Sequence, residues 1–211
     1  MKPIVFFSYV LTPFVRVLLW TKIKGKENLP GTDGPVIFCA NHFSNWDPPV
    51  VSTSCRLPYR YIAKKSLFTK PVLGSILKWF GCIPVERDSR DVASLRTAIS
   101  AAKEGQPVMI FPQGKRIKGT PPQPDEAKKG IALMIAMTNA TVVPMGLYTK
   151  GYKARIFRRY YVNIGEPITP EMYRPLLDEG DKATRFDRVT EMIFGRVCEL
   201  AKPENAVKSD K

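Results

Sequence analysis

The stretch GPVIFCANHFSNWDPPVV, residues 34–51, decides how this chain is read. Val36 to Ala40 is a short apolar run of the kind that forms a strand, and two prolines follow Asp47 where a helix would start. Between them stands His42, the only histidine in the chain, with Asp47 five positions on. A strand that delivers a polar pair at its end and passes into a helix is the repeating unit of an α/β fold.

Working outward, the same alternation continues. Strands are expected at 22–26, 35–40, 59–63, 82–86, 107–111, 141–147 and 160–164, with helices near 48–56, 71–79, 90–103 and 125–138. A last helix at 182–201 carries Phe186, Val189, Ile193 and Val197 on one stripe. The segment DVASLRTAISAAKEG spaces Val92, Leu95 and Ile99 as a helix does and stops at Gly105. The expected fold is a single α/β domain, residues 21–201, with a mostly parallel mixed sheet of about seven strands flanked by helices. At 211 residues, one full core is the natural outcome, since folding at this size buries roughly 70% of the extended chain's surface. Residues 202–211 have no core positions and are expected to form a mobile basic tail.

Residues 4–20, IVFFSYVLTPFVRVLLW, are almost continuously apolar, with Lys2 before them and TKIKGK after. Pro13 and Arg16 interrupt the run, and no small-residue cleavage site follows it. An interfacial or shallowly inserted helix over residues 1–20 is therefore expected, with a buried amino-terminal helix as the alternative. Lysine and arginine number 33 against 19 acids, a net charge of +14 that implies an anionic partner: nucleic acid, anionic lipid or a phosphorylated substrate. A nucleic-acid domain would need a recognition helix, an aromatic RNP-like strand or a dense basic stripe, and none is present. Only YKARIFRRYY, residues 152–161, interleaves aromatics with cations, and it reads equally well as an edge strand at a membrane surface. Cys39, Cys55, Cys82 and Cys198 have no paired spacing and read as free thiols in a reducing compartment.

No zinc-ligand spacing, G-x-S-x-G elbow, Walker loop or dinucleotide fingerprint occurs. His42 with Asp47 remains. An imidazole titrating near neutrality can take the proton of a hydroxyl as that hydroxyl attacks a carbonyl, and a carboxylate fixes its tautomer. Asp47 also reads as a helix N-cap with Pro48 at the first helical position, a role compatible with the first.

NHFSNWD resembles the NHxxxxD pattern of the glycerolipid acyltransferases. Further blocks resemble that family in order: GKENLPGTDGPVIFCANH; YIAKKSLFTKPVLGSILKWFGCIPVER, ending at Arg87; IFPQGKR, against the usual FPEGTR; and KKGIALMIAMTNATVVPMGLY. The resemblance runs from about residue 20 to 170. It implies transfer of a fatty acyl group from acyl-CoA or acyl carrier protein to the free hydroxyl of 1-acylglycerol 3-phosphate, giving phosphatidic acid in phospholipid biosynthesis, with glycerol 3-phosphate or another lysophospholipid as the alternative acceptor. No cofactor is implied beyond that donor. His42 and Asp47 are the implied catalytic residues; Arg87, Gln113, Gly114 and Arg116 the implied acceptor site, with the arginines on the phosphate. Gln113 stands where glutamate is usual and Lys115 where threonine is usual. Lys64 and Lys65 read as solvated, and Ile131, Leu133, Met134 and Met137 either face the acyl chain or are core. The enzyme is expected at the cytoplasmic face of a membrane, bound to its phospholipid surface.

Overall fold

The computed structural model describes residues 16–31, 34–55, 60–79, 82–85 and 92–207. Seven strands form one sheet: β1 (Thr21–Lys24), β2 (Val36–Ala40), β3 (Arg60–Lys64), β4 (Ile83–Val85), β5 (Val108–Ile110), β6 (Thr141–Thr149) and β7 (Tyr160–Ile164). Their order across the sheet is β1-β7-β6-β2-β5-β3-β4. The five strands from β6 to β4 run parallel; β7 is antiparallel to β6, and β1 is parallel to β7. The helices are α1 (Asp47–Cys55), α2 (Pro71–Trp79), α3 (Val92–Lys103), α4 (Gly130–Thr138), α5 (Pro170–Asp178), α6 (Lys182–Leu200) and α7 (Pro203–Val207).

β2 is central and buried at all five positions, as a continuous apolar run flanked by parallel neighbours should be. Its residues alternate between two cores. Ile37 and Cys39 meet α3, α4 and α6 through Ala98, Ile131, Ile135, Val189 and Ile193. Val36, Phe38 and Ala40 meet Leu19, Phe43, Val50, Val51 and Tyr160 on the other face. Ile131 and Met134 are fully buried while Met137 is half exposed, so that stripe of α4 belongs to the core.

Pro144 interrupts none of this although it lies inside β6. Val142 N–H points to Ile168 O at 2.9 Å and Pro144 O accepts from Gly165 N at 2.9 Å, so Pro144 keeps its acceptor on that side and lacks only a donor, at the point where β7 has ended at Ile164. The α6 C-terminus presses on the same strand: a Cβ on Gly146 would fall 2.1 Å from the Leu200 carbonyl carbon. Carbonyls at that end are taken up by the sheet side, Leu200 O by Asn163 Nδ2 at 2.7 Å, Ala201 O by the Tyr152 hydroxyl at 3.0 Å and Asn205 O by Lys24 Nζ at 2.9 Å.

Several expectations change. Helix α5 occupies a segment where no element is expected, because Pro170 and Pro175 and three charged residues hide its period; Pro170 sits in the first turn, where proline is tolerated. The helix expected at 125–138 starts only at Gly130, after a single 3₁₀ turn at Pro124–Glu126. YKARIFRRYY is a loop up to Arg159, and β7 is not an edge strand because β1 covers it. Within the expected tail, residues 203–207 are helical. The amino-terminal segment expected to associate with a membrane lies, up to residue 15, outside the described residues. Among those described, no helix is long and apolar enough to cross a membrane.

Candidate active site

The parallel arrangement brings the C-terminal ends of β2, β3, β5 and β6 to one end of the sheet. The ladder between β2 and β6 stops at Ala40 and Met145. Asn41 then staples the two strands with its side chain: Nδ2 donates to Leu147 O at 2.9 Å and Oδ1 accepts from Leu147 N at 2.7 Å. His42 follows, its course fixed by a buried amide on each side of the peptide.

Asp47 is fully buried and turned back along the chain. Its Oδ2 accepts from His42 Nδ1 at 2.7 Å, Phe43 N at 2.7 Å and Ser44 N at 2.9 Å. Its Oδ1 accepts from the Tyr160 hydroxyl. A buried carboxylate is tolerable because these four donors replace water. Asp47 is the first residue of α1, and its carboxylate serves the backbone that precedes the helix instead of the amides of the first turn. The N-cap role expected of it therefore gives way to holding the His42 loop. Burial, then the Asp47 charge and its hydrogen bond, push the Tyr160 hydroxyl well above its usual pKa, which keeps it protonated as a donor.

Because a carboxylate only accepts, Nδ1 of His42 carries the proton in this network and Nε2 carries the lone pair. The ring stacks on Phe111 with centroids 4.3 Å apart. The backbone is clamped as well: His42 N donates to Gln113 Oε1 at 2.6 Å, and His42 O accepts from Ile117 N at 2.9 Å. The Phe111–Ile117 loop thus wraps His42 from the end of β5. Gly114 makes the turn possible with φ 65°, a left-handed conformation that a side chain strains; its N–H closes on Phe111 O at 3.0 Å, and the Lys128 side chain lies over it.

Of the residues the sequence singled out, the structure brings together His42, Asp47, Gln113, Gly114 and Arg116. Arg116 is exposed and donates to Asn45 Oδ1, which ties it to the His42–Asp47 loop. Gln113 is only 2% exposed. Its amide oxygen is used by His42 and its nitrogen donates to Glu126 Oε2 at 2.7 Å, so it faces the interior and not a ligand. Arg87 lies outside the described residues. Lys64 ends β3 half-buried, and Lys65 is exposed. Tyr160, Asn41, Asn45 and Glu126 were not foreseen. Cys39, Cys82 and Cys198 are free thiols; burial pushes Cys82 up to about 11 and Cys198 up to about 12, which removes them as competing nucleophiles.

A histidine oriented by a buried carboxylate, with no activated serine or cysteine beside it among the described residues, is chemically able to remove a proton from an incoming hydroxyl. The sequence model of the Acyltransferase family matches residues 21–148, and the chain belongs to that family. It is 32% identical over 183 residues to the 1-acyl-sn-glycerol-3-phosphate acyltransferase of Bacillus subtilis, covering 85% of this chain and 87% of that one. It is 35% identical over 146 residues to a chloroplastic 1-acyl-sn-glycerol-3-phosphate acyltransferase of Brassica napus, covering 68% of this chain and 40% of that longer one. Among solved structures, the 1-acyl-sn-glycerophosphate (LPA) acyltransferase PlsC of Thermotoga maritima matches with a TM-score of 0.68 at 24% identity, over 94% of this chain and 78% of that one. That match supports the fold.

Proposed function

We propose that this protein acylates the free hydroxyl of 1-acylglycerol 3-phosphate, forming phosphatidic acid. The carrying observation is the 2.7 Å contact between His42 Nδ1 and Asp47 Oδ2 in a chain whose relatives bear that activity in their names. The lone pair on His42 Nε2 takes the acceptor's hydroxyl proton while the oxygen attacks the thioester carbonyl carbon. The tetrahedral intermediate collapses, the carbon–sulfur bond breaks and the proton on Nε2 passes to the leaving thiolate. An ester and a free thiol are the products. Asp47 stabilises the imidazolium that forms between the two proton transfers.

Arg116 and the Gly114 turn hold the acceptor's phosphate beside His42, with Arg87 as a second cation; a guanidinium offers two parallel donors to a phosphate. The acyl donor is acyl-CoA or acyl carrier protein. The protein works on the phospholipid surface at the cytoplasmic side of a membrane, where its reduced thiols also belong. Exposed apolar side chains gather at the His42 end of the sheet: Val17 (74%) and Trp20 (59%) ahead of β1, Phe157 (75%) ahead of β7 and Val72 (75%) in the first turn of α2. Phe157 N bonds Leu18 O at 2.9 Å, so the first two sets are contiguous, and Arg155, Arg158 and Lys70 flank these patches. Apolar tips ringed by cations suit an anionic lipid surface.

The test is an assay of the purified protein with lysophosphatidic acid and an acyl series on both CoA and acyl carrier protein, alongside flotation with phosphatidylglycerol vesicles. Phosphatidic acid formation and co-flotation are expected. No acyl transfer to lysophosphatidic acid from either donor class would reject the reaction, and failure to float would reject the surface.

A further inference from the structure

We propose that Gln113 and Glu126 form one positioning unit that holds the His42 backbone, and that it requires a single carboxylate, which this chain carries at 126 and not at 113. The argument begins with obligate partners. A backbone N–H only donates, so the Gln113 atom 2.6 Å from His42 N is the amide oxygen. The amide nitrogen is thereby aimed at Glu126, and its 2.7 Å contact with Oε2 needs an acceptor there, which an ionised carboxylate is. Oε2 also accepts from Gln123 N at 3.2 Å, and Glu126 N returns a bond to Gln123 O at 3.1 Å. The 3₁₀ turn at Pro124–Glu126 therefore anchors the carboxylate, the carboxylate orients the amide, and the amide fixes the peptide of the catalytic histidine. Lys128 N donates to Pro112 O at 3.0 Å and fastens the same turn to the loop that carries Gln113.

Position 113 holds glutamate in the pattern that this loop resembles. Here glutamate would accept the His42 N–H well enough, but its second oxygen would meet Glu126 Oε2 with no proton between them, and two carboxylates at such a distance cannot both ionise without displacing one another. Exchanging the two side chains removes the conflict. Glutamate at 113 would accept from His42 N and from the amide nitrogen of glutamine at 126; since Gln113 Nε2 and Gln123 N now share the one atom Oε2 of Glu126, the amide at 126 must pivot to bring its oxygen to Gln123 N. Every donor and acceptor is again paired, so one carboxylate suffices and its place in the pair is interchangeable.

The test is a double-variant cycle on the full-length protein: Gln113→Glu, Glu126→Gln and the combination, each measured for kcat, acceptor KM and Tm. Gln113→Glu should lower kcat about tenfold and lower Tm, with acceptor KM little changed, because the histidine is displaced and no ligand contact is lost. Glu126→Gln alone should lose less. The combined variant should recover most of both kcat and Tm. A Gln113→Glu variant as active as the parent, or a combined variant no better than Gln113→Glu, would overturn the proposal. So would a loss confined to acceptor KM, which would place Gln113 on the acceptor. Should Gln113→Glu fail to fold, the combined variant decides, since it must fold and turn over. The kinetic arm rests on the acyltransferase reading; the Tm arm does not, so a protein that transfers no acyl group still tests the pair.

Discussion

Asp47 is fully buried and receives four donors, whereas Arg116, on the loop that wraps the same histidine, is exposed and reaches only as far as Asn45. The first region is wired so that moving one atom moves several bonds. The second keeps a long cation on a glycine turn near solvent, free to follow a charged group. The difference matches the two tasks proposed for these regions. Proton transfer demands geometry held to fractions of an ångström, and the interior supplies it by satisfying every polar atom. A phosphate is large, symmetric and doubly charged, so a surface guanidinium can meet it in more than one pose. Damage to the buried region should appear in kcat and stability together, and damage to the exposed one in acceptor affinity alone.

Four substitutions put that contrast at risk, beginning with the largest effect. His42→Ala removes the base and should lower kcat about 10²- to 10⁴-fold while circular dichroism and acceptor binding stay near those of the parent; near-normal turnover by a folded variant would end the mechanism. Asp47→Asn should cost about 10²-fold in kcat and also lower Tm, because an amide turns its hydrogens toward donors. Unchanged Tm would mean that the four-donor cage is not what holds the loop. Arg116→Ala should raise acceptor KM about tenfold, the worth of one charge-assisted bond, and leave donor KM and Tm alone; Arg116→Lys should rescue it in part. An unmoved acceptor KM would shift the phosphate to Arg87. Smallest is Tyr160→Phe, which strips one donor from Asp47 and should lower stability by about 1–2 kcal/mol with a few-fold loss in kcat. Because its hydroxyl is held protonated well above neutrality, the pH dependence of kcat between pH 6 and 9 should keep its shape in that variant.

What could be read in advance follows from how local each relation is. β7 at 160–164 and α2 at 71–79 carry their period in consecutive residues, and both lie where expected. His42 and Asp47 are five residues apart, within reach of one turn. Tyr160, by contrast, is 113 positions from Asp47, and only the antiparallel return of β7 beside β6 brings it there. Gln113 is assigned to the acceptor by the family resemblance alone. Nothing in IFPQGKR signals that its amide points inward to His42, or that Glu126 is waiting behind it. Helix α5 is not legible in the sequence because Pro175 reads as a breaker; this proline lies in the second turn of a nine-residue helix and forfeits the bond that its N–H would make to the carbonyl four residues before it.

The carbonyls at and just beyond the end of α6 have a bearing on how the protein folds. Leu200, Ala201 and Asn205 accept from Asn163, Tyr152 and Lys24, which belong to β7, the loop before it and β1. Asn163 precedes its partner by 37 residues and Tyr152 by 49, so both donors stay unpaired until α6 has docked. A product stopped short of residue 200 would keep every strand and the whole catalytic loop, yet would bury two donors without acceptors and uncover the face of β6 around Gly146. The docking of α6 thus completes the hydrogen bonding of β7 and of the loop before it, so amide protection of these segments is expected to rise and fall together with that of α6.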